Sequence, residues 1–306
     1  MTLEQRSLGA TGATVSVLGY GSMELRGVPR GPEVDDETAG RLLNAVLDAG
    51  INLIDTSIDY GKAEGLIGRF IGHRRHEYFL ASKCGCIPDD PREAGYPHDF
   101  SRANIRAGVE NSLRRMGTDH LDLVELHISP SRQVLEENDT VAEMQLLKAE
   151  GKVRFIGMSG RLPDLPDQIA MGVFDVFQVP YSVVQREHED LITRAWAAGA
   201  GTLIRGGAAR GQASAEKNWQ RSPVDVPEGE ARRRWEASRI EEILGGMSPM
   251  EFVLRFTISH PGVSTTIVGT SKVEHLLANV AIAEKGPLPA DLYDEARRRF
   301  TLATAG

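Results

Sequence analysis

A single (β/α)8 barrel, the TIM-barrel class, is the fold this sequence predicts, and three observations carry the prediction. Short β-branched runs alternate with amphipathic helical stretches eight times. The alternation fills nearly all of the 306 residues without a break in composition, a length that one α/β barrel routinely needs. The rival doubly wound sheet lacks its fingerprint, because Gly19-Tyr20-Gly21 is followed by Glu24 where a third glycine belongs. No G-x-x-x-x-G-K-[ST] phosphate loop occurs either.

The elements follow in order. Val15 to Gly19 is β-branched, ends in glycine and reads as the first strand. A helix over Asp36–Ala49 follows, with Ala39, Leu42, Leu43, Val46 and Leu47 at helical spacing and Gly50 as its stop. Ile51–Asp55 and Tyr78–Lys83 are the next strands, each preceding a helix, at Glu64–Ile71 and Ser101–Met116. Leu121–Leu126 precedes a helix near Thr140–Glu150, and Val153–Gly157 precedes one near Asp164–Met171. Val176–Val179 precedes Glu187–Ala198. Thr202–Ile204 leads into a long loop at about 205–229, then helices at Glu230–Leu244 and Pro249–Ser259. Ser264–Val268 precedes Val273–Ala283, and a helical tail at about 289–301 ends a single domain spanning 1–306.

Composition narrows the function. Hydrophobic residues make up 41% and charged residues 25%, a globular balance that excludes disorder. The net charge of −8 argues against nucleic acid as a partner. The run Arg232-Arg233-Arg234 sits among glutamates and reads as a solvated helix face. Cys84 and Cys86 are too close together to close a useful loop, so the chain needs no oxidising compartment. With no signal peptide in Met1–Ala10 and no apolar run of spanning length, a cytoplasmic protein without a membrane partner is expected.

Barrel chemistry has a fixed address at the C-terminal ends of the strands and the loops after them. That address selects Gly19 to Glu24, Asp55 to Tyr60, Lys83, His127, Ser159, Gln178 with Tyr181, Arg205 to Gly207, and Gly269 to Lys272. Two other patterns fail. Gly157-Met158-Ser159-Gly160-Arg161 lacks the last glycine of a nucleophile elbow. His73-Arg74-Arg75-His76 has no carboxylate set beside it and reads as a polar turn, so no metal site is expected.

Five segments in order then resemble the aldo-keto reductase superfamily over essentially the whole chain. Leu8-Gly9 to Gly21 is similar to its opening segment, and Asn52 to Gly61 with Glu64 to its "DTA-x-x-YG-x-SE" signature. Gly151 to Ser159 resembles "GK-x-R-x-x-G-x-S", and Gln178 to Ser182 resembles "Q-x-x-YN". Ile267 to Ser271, with Asn279, resembles the family's last phosphate-binding region.

The resemblance implies NADP(H)-dependent reduction of an aldehyde or ketone. Tyr60 would be the general acid/base, Lys83 would favour its phenolate, Asp55 would hold Lys83, and His127 would orient the carbonyl oxygen. Cofactor contacts are implied for Ser159, Gln178, Tyr181, Arg205, Gly206, Gly269, Thr270, Ser271, Lys272, His275 and Asn279. Lys272 stands where a base meets the 2′-phosphate, which favours NADP(H) over NAD(H). Gly160 stands where the family usually has Asn, and Arg205 where it often stacks an aromatic. Met23, Cys86, Tyr96 and Trp219 are candidate substrate-pocket residues and suggest a partly apolar small carbonyl compound. Two alternatives stay open: a nucleotide-binding regulatory subunit with an idle site, and an unrelated barrel lyase using Lys83 as a Schiff-base former.

Overall fold

The computed structural model describes residues 3–87, 97–223 and 225–305. Strands β1 (Gln5–Ser7) and β2 (Thr14–Ser16) form an antiparallel hairpin with Arg6 opposite Val15. Eight parallel strands then close a barrel. They are β3 (Leu18–Gly21), β4 (Leu53–Asp55), β5 (Phe79–Cys84), β6 (Leu121–Leu126), β7 (Val153–Ser159), β8 (Val176–Pro180), β9 (Gly201–Arg205) and β10 (Thr265–Val268). Closure comes from β10 pairing with β3, Thr266 opposite Leu18.

Helices lie between the strands in the expected order. They are α1 (Asp36–Asp48), α2 (Ala63–Ile71), α3 (Arg102–Met116), α4 (Arg132–Glu137), α5 (Thr140–Ala149) and α6 (Leu165–Ala170). Then come α7 (Glu189–Ala197), α8 (Glu230–Ser238), α9 (Pro249–Ser259), α10 (Val273–Ala283) and α11 (Ala290–Ala305). Their ends follow local chemistry. Asp35 accepts from the Thr38 amide at 2.8 Å to cap α1, and Ser248 caps α9 ahead of Pro249 at its first position. Gly117, at φ +63°, stops α3 in the left-handed region that a side chain disfavours.

Two expectations need correction. The strand expected at Val15–Gly19 is split, its first half in the hairpin and its second in the barrel. The break is held by the Val17 amide donating to the Glu4 carbonyl and by Ser16 Oγ donating to the Leu18 carbonyl. The helix expected over Glu230–Leu244 stops at Arg239, whose φ is +50°. There the Ser238 hydroxyl accepts from the Ile240 amide, and Trp235 Nε1 donates to Glu241.

Strand alternation builds the barrel interior in layers, as successive side chains point to opposite faces. Leu53, Phe79, Ala81, Leu123, Val176 and Leu203 form an apolar core with Leu8 and Val15 of the hairpin side. Two residues further along the same strands stand Asp55, Lys83, Glu125 and Gln178. The barrel is therefore dry at one end and carries a polar layer toward its C-terminal mouth. Gly157 makes room in that layer: a Cβ there would lie 2.8 Å from the Val176 carbonyl oxygen and 3.1 Å from Glu125 Cγ.

Candidate active site

The polar layer converges on one ammonium. Lys83 Nζ donates to Asp55 Oδ1 at 2.6 Å and to the Thr56 carbonyl at 2.8 Å, with both side chains buried. It also lies 5.3 Å from the centre of the Tyr60 ring. The Tyr60 ring meets His127 edge-on, 6.3 Å between centroids. The backbone amide of His127 donates to the Cys84 carbonyl, which fixes the residue just beyond β6. Asp55, Tyr60, Lys83 and His127 thus come together from the ends of three successive strands, β4, β5 and β6.

Burial and charge compete here. Burial would lower Lys83, but the negative charges beside it, Asp55 foremost, outweigh it and hold the lysine charged. For Tyr60 burial wins: it pushes the phenol up to about 12, although the Lys83 ammonium pulls it down. The expected depression by Lys83 is real in sign but smaller than desolvation, so the group rests as a neutral phenol. Burial likewise lowers His127 to about 3, against the opposing pull of Asp59, leaving a neutral imidazole.

Gln178 continues the network. Its Nε2 donates to Asp55 Oδ1 at 2.9 Å and to Glu125 Oε2 at 3.2 Å, while its Oε1 accepts from Ser159 Oγ at 3.1 Å. Glu125 is a site residue that the sequence reading missed. Burial raises its carboxyl to about 8 despite Lys83. The signal was available, because Glu125 lies two residues after Leu123 on β6 and so shares its inward face.

The other expected residues are placed as follows. Arg205 is held by Asp225, whose carboxylate also takes Arg161, so the long connection after β9 is tied across the mouth. Gly206 opens that connection at φ +75°. Gly269, Thr270, Ser271 and Lys272 form the turn from β10 into α10, with Tyr20 OH donating to the Thr270 carbonyl at 2.9 Å. His275 is exposed and Asn279 half-buried on α10. The first turn of α10 has no side-chain cap, so its amides suit an anion. Tyr181 is fully buried, its hydroxyl 3.3 Å from Glu189 and 3.4 Å from the Tyr293 hydroxyl. Met23 lies in the short helix Ser22–Leu25 directly after β3. Cys86 is buried with its Sγ 2.9 Å from His127 Nδ1. Trp219 stands apart from this group, buried with its ring 5.1 Å from that of Trp235. Tyr96 lies outside the described residues.

The model of the aldo/keto reductase family matches residues 17–298. The chain belongs to that family. Its members are oxidoreductases of carbonyl chemistry that use nicotinamide cofactors. The chain is 28% identical over 289 residues to the oxidoreductase YqkF of Bacillus subtilis, covering 92% of this chain and 91% of that one. It is 28% identical over 293 residues to L-galactose dehydrogenase of Arabidopsis thaliana, covering 91% and 88%. Among solved structures it is similar to the holo form of aldo-keto reductase AKR11C1 from Bacillus halodurans. The TM-score is 0.83 at 28% identity, over 97% of this chain and 96% of the other. Among the described residues, no helix is long and apolar enough to cross a membrane.

Proposed function

We propose that the chain reduces a small aldehyde or ketone to the alcohol with NADP(H), using Tyr60 as proton donor. The observation that carries this reading is the buried Lys83–Asp55 pair set against the Tyr60 ring. When bound, the nicotinamide supplies or takes the hydride. Tyr60 then gives its phenolic proton to the carbonyl oxygen, and the adjacent Lys83 ammonium stabilises the phenolate left behind. Asp55 and the Thr56 carbonyl hold that ammonium in place. His127, neutral in this setting, orients the carbonyl oxygen with a ring N–H.

The residues present fit a nicotinamide dinucleotide. Ser159 and Gln178 offer the carboxamide partners, and Arg205 borders the ring's place, while Tyr181, buried against Phe256 and His260, supports the site from behind. Arg205 is already engaged by Asp225, so it lines the ring's edge more readily than it stacks on its face. The uncapped start of α10, with Gly269, Thr270 and Ser271, would hold the phosphates. Exposed Lys272 and His275 flank it with the bases that favour a 2′-phosphate, and Gly206 and Asn279 complete the cofactor's border.

The deciding experiment follows NADPH and NADH oxidation over aromatic aldehydes, quinones and short sugars, with wild type and Tyr60→Phe. Turnover that prefers NADPH and falls about 10²–10⁴-fold in Tyr60→Phe, with NADPH affinity kept, is expected. Tight NADPH binding without turnover on any compound would favour a nucleotide-binding regulatory role instead.

A further inference from the structure

We propose that Cys86, His98 and His127 form a binding site for a soft divalent transition metal, zinc foremost, at the mouth of the barrel beside the catalytic group. Their donor atoms lie within 4.8 Å of one another. Cys86 Sγ is 2.9 Å from His127 Nδ1 and 3.5 Å from His98 Nε2. No sequence pattern announces the site, since Cys86 is 12 residues from His98 and 41 from His127.

The backbone builds it. Cys86 and His98 face each other across an antiparallel bridge, flanked by the Ile87 amide on the Pro97 carbonyl and the Asp99 amide on the Gly85 carbonyl. Gly85, at φ +93°, lets this segment turn against Phe100, where a Cβ would come within 2.8 Å of the ring. The His98 ring in turn stacks on Phe100 at an interplanar angle of 17° and meets His127 edge-on at 5.7 Å. Both imidazoles are thus braced with a nitrogen toward one sulfur.

The spacing suits a tetrahedral ion. Zinc bonds of about 2.3 Å to sulfur and about 2.0 Å to nitrogen set sulfur and nitrogen about 3.5 Å apart. The Cys86–His98 pair is already there, and the Cys86–His127 pair needs to open by about 0.6 Å. Three protein donors leave a fourth position for water. Asp59 Oδ1, 3.6 Å from His127 Nδ1, supplies a neighbouring negative charge to offset the ion. As the metal–sulfur bond forms, the Cys86 thiol proton leaves to solvent and His127 gives the Nδ1 lone pair, so its ring proton must sit on Nε2. In the reductase reading, on which this consequence alone rests, the metal would lock His127 as an Nε2–H donor toward the carbonyl.

The test adds Co²⁺, as an optical stand-in for zinc, to the reduced full chain, with Zn²⁺ equilibrium dialysis alongside. A stoichiometric thiolate-to-cobalt charge-transfer band with intense tetrahedral d–d bands is expected. Cys86→Ser should abolish the charge-transfer band while circular dichroism stays native, and Cys84→Ser should retain it. His98→Ala should weaken Zn²⁺ binding by about tenfold or more. Absence of the band, its survival in Cys86→Ser, or its loss only in Cys84→Ser overturns the proposal. Because the readout is optical, a chain that binds cobalt yet turns over no carbonyl compound refutes the reductase reading and leaves the site standing. Turnover without the band does the reverse.

Discussion

The Glu125 carboxyl is a buried acid whose proton can be weighed. Glu125→Gln keeps its size, and the amide oxygen can still accept the bond that Gln178 Nε2 gives Glu125 Oε2 at 3.2 Å. Among the described residues Glu125 Oε1 has no hydrogen-bond partner, so no bond is lost there. In the fold, burial raises this carboxyl from 4.5 to about 8 against the pull of Lys83. A raised pKa gives stability that is fully present below the unfolded value and is lost as pH climbs through the folded one. Wild type should therefore lose stability between pH 4.5 and about 8 relative to the uncharged variant. At about 1.36 kcal/mol per pH unit, the difference at pH 7 is about 3 kcal/mol. A 306-residue chain unfolds with an entropy near about 0.6 kcal/mol/K, so this corresponds to about 5 °C in Tm. Thermal melts of both proteins across that range give the answer. The curves should converge near pH 4.5 and separate in favour of Glu125→Gln as pH rises. A gap independent of pH, or one that narrows with rising pH, would refute the reasoning.

Three more outcomes are expected. With Tyr60 pushed up to about 12 and His127 down to about 3, the proton donor stays protonated and the imidazole neutral over the usual range. The kcat for reduction should stay flat between about pH 6 and 10, and an inflection near about 6.5 would show His127 titrating there. Lys272→Ala should raise the KM for NADPH about tenfold while leaving that for NADH nearly unchanged, as one charge-assisted phosphate contact is removed; equal losses for both would place Lys272 away from the 2′-phosphate. Asp225→Ala removes the carboxylate shared by Arg205 and Arg161, two partly exposed ion pairs together contributing about 1 kcal/mol. Limited proteolysis in the connection 206–229 should then speed up about fivefold, and an unchanged rate would show the strap is held elsewhere.

The fold was legible wherever a strand and its helix carried their own signals. Leu121–Leu126, Pro249–Ser259 and Val273–Ala283 have the expected bounds because each combines an apolar period with a clear start or stop. The first strand was not legible, because its division depends on a carbonyl from Glu4 that the local run does not contain. Helix α4 was also missed: six residues with only Leu135 buried give too short an apolar period to stand out. In the site, Asp55, Lys83 and Gln178 were visible as polar residues at the ends of apolar strands. His98 was not, since only the folded loop brings it to His127; Asp59 fell within the selected span Asp55 to Tyr60, but its approach to His127 is set by the fold alone.

Glu125 belongs to a different kind of omission, and charge counting shows why it matters. The layer holds two carboxyls, Asp55 and Glu125, around one ammonium, Lys83. Ionising both would bury an uncompensated negative charge, which a dry barrel resists. One carboxyl must keep its proton, and Asp55 is the one bonded directly to Lys83, so the neutral acid is Glu125. Its place then sets Gln178: with the amide nitrogen spent on Asp55 and Glu125, the Gln178 oxygen is left on the Ser159 side. A ligand reaching that side meets an acceptor from Gln178 and a hydroxyl from Ser159, the pair that an amide group with its own donor and acceptor can satisfy. The residue that costs the fold stability at neutral pH is thus the one that fixes which face of Gln178 the barrel presents.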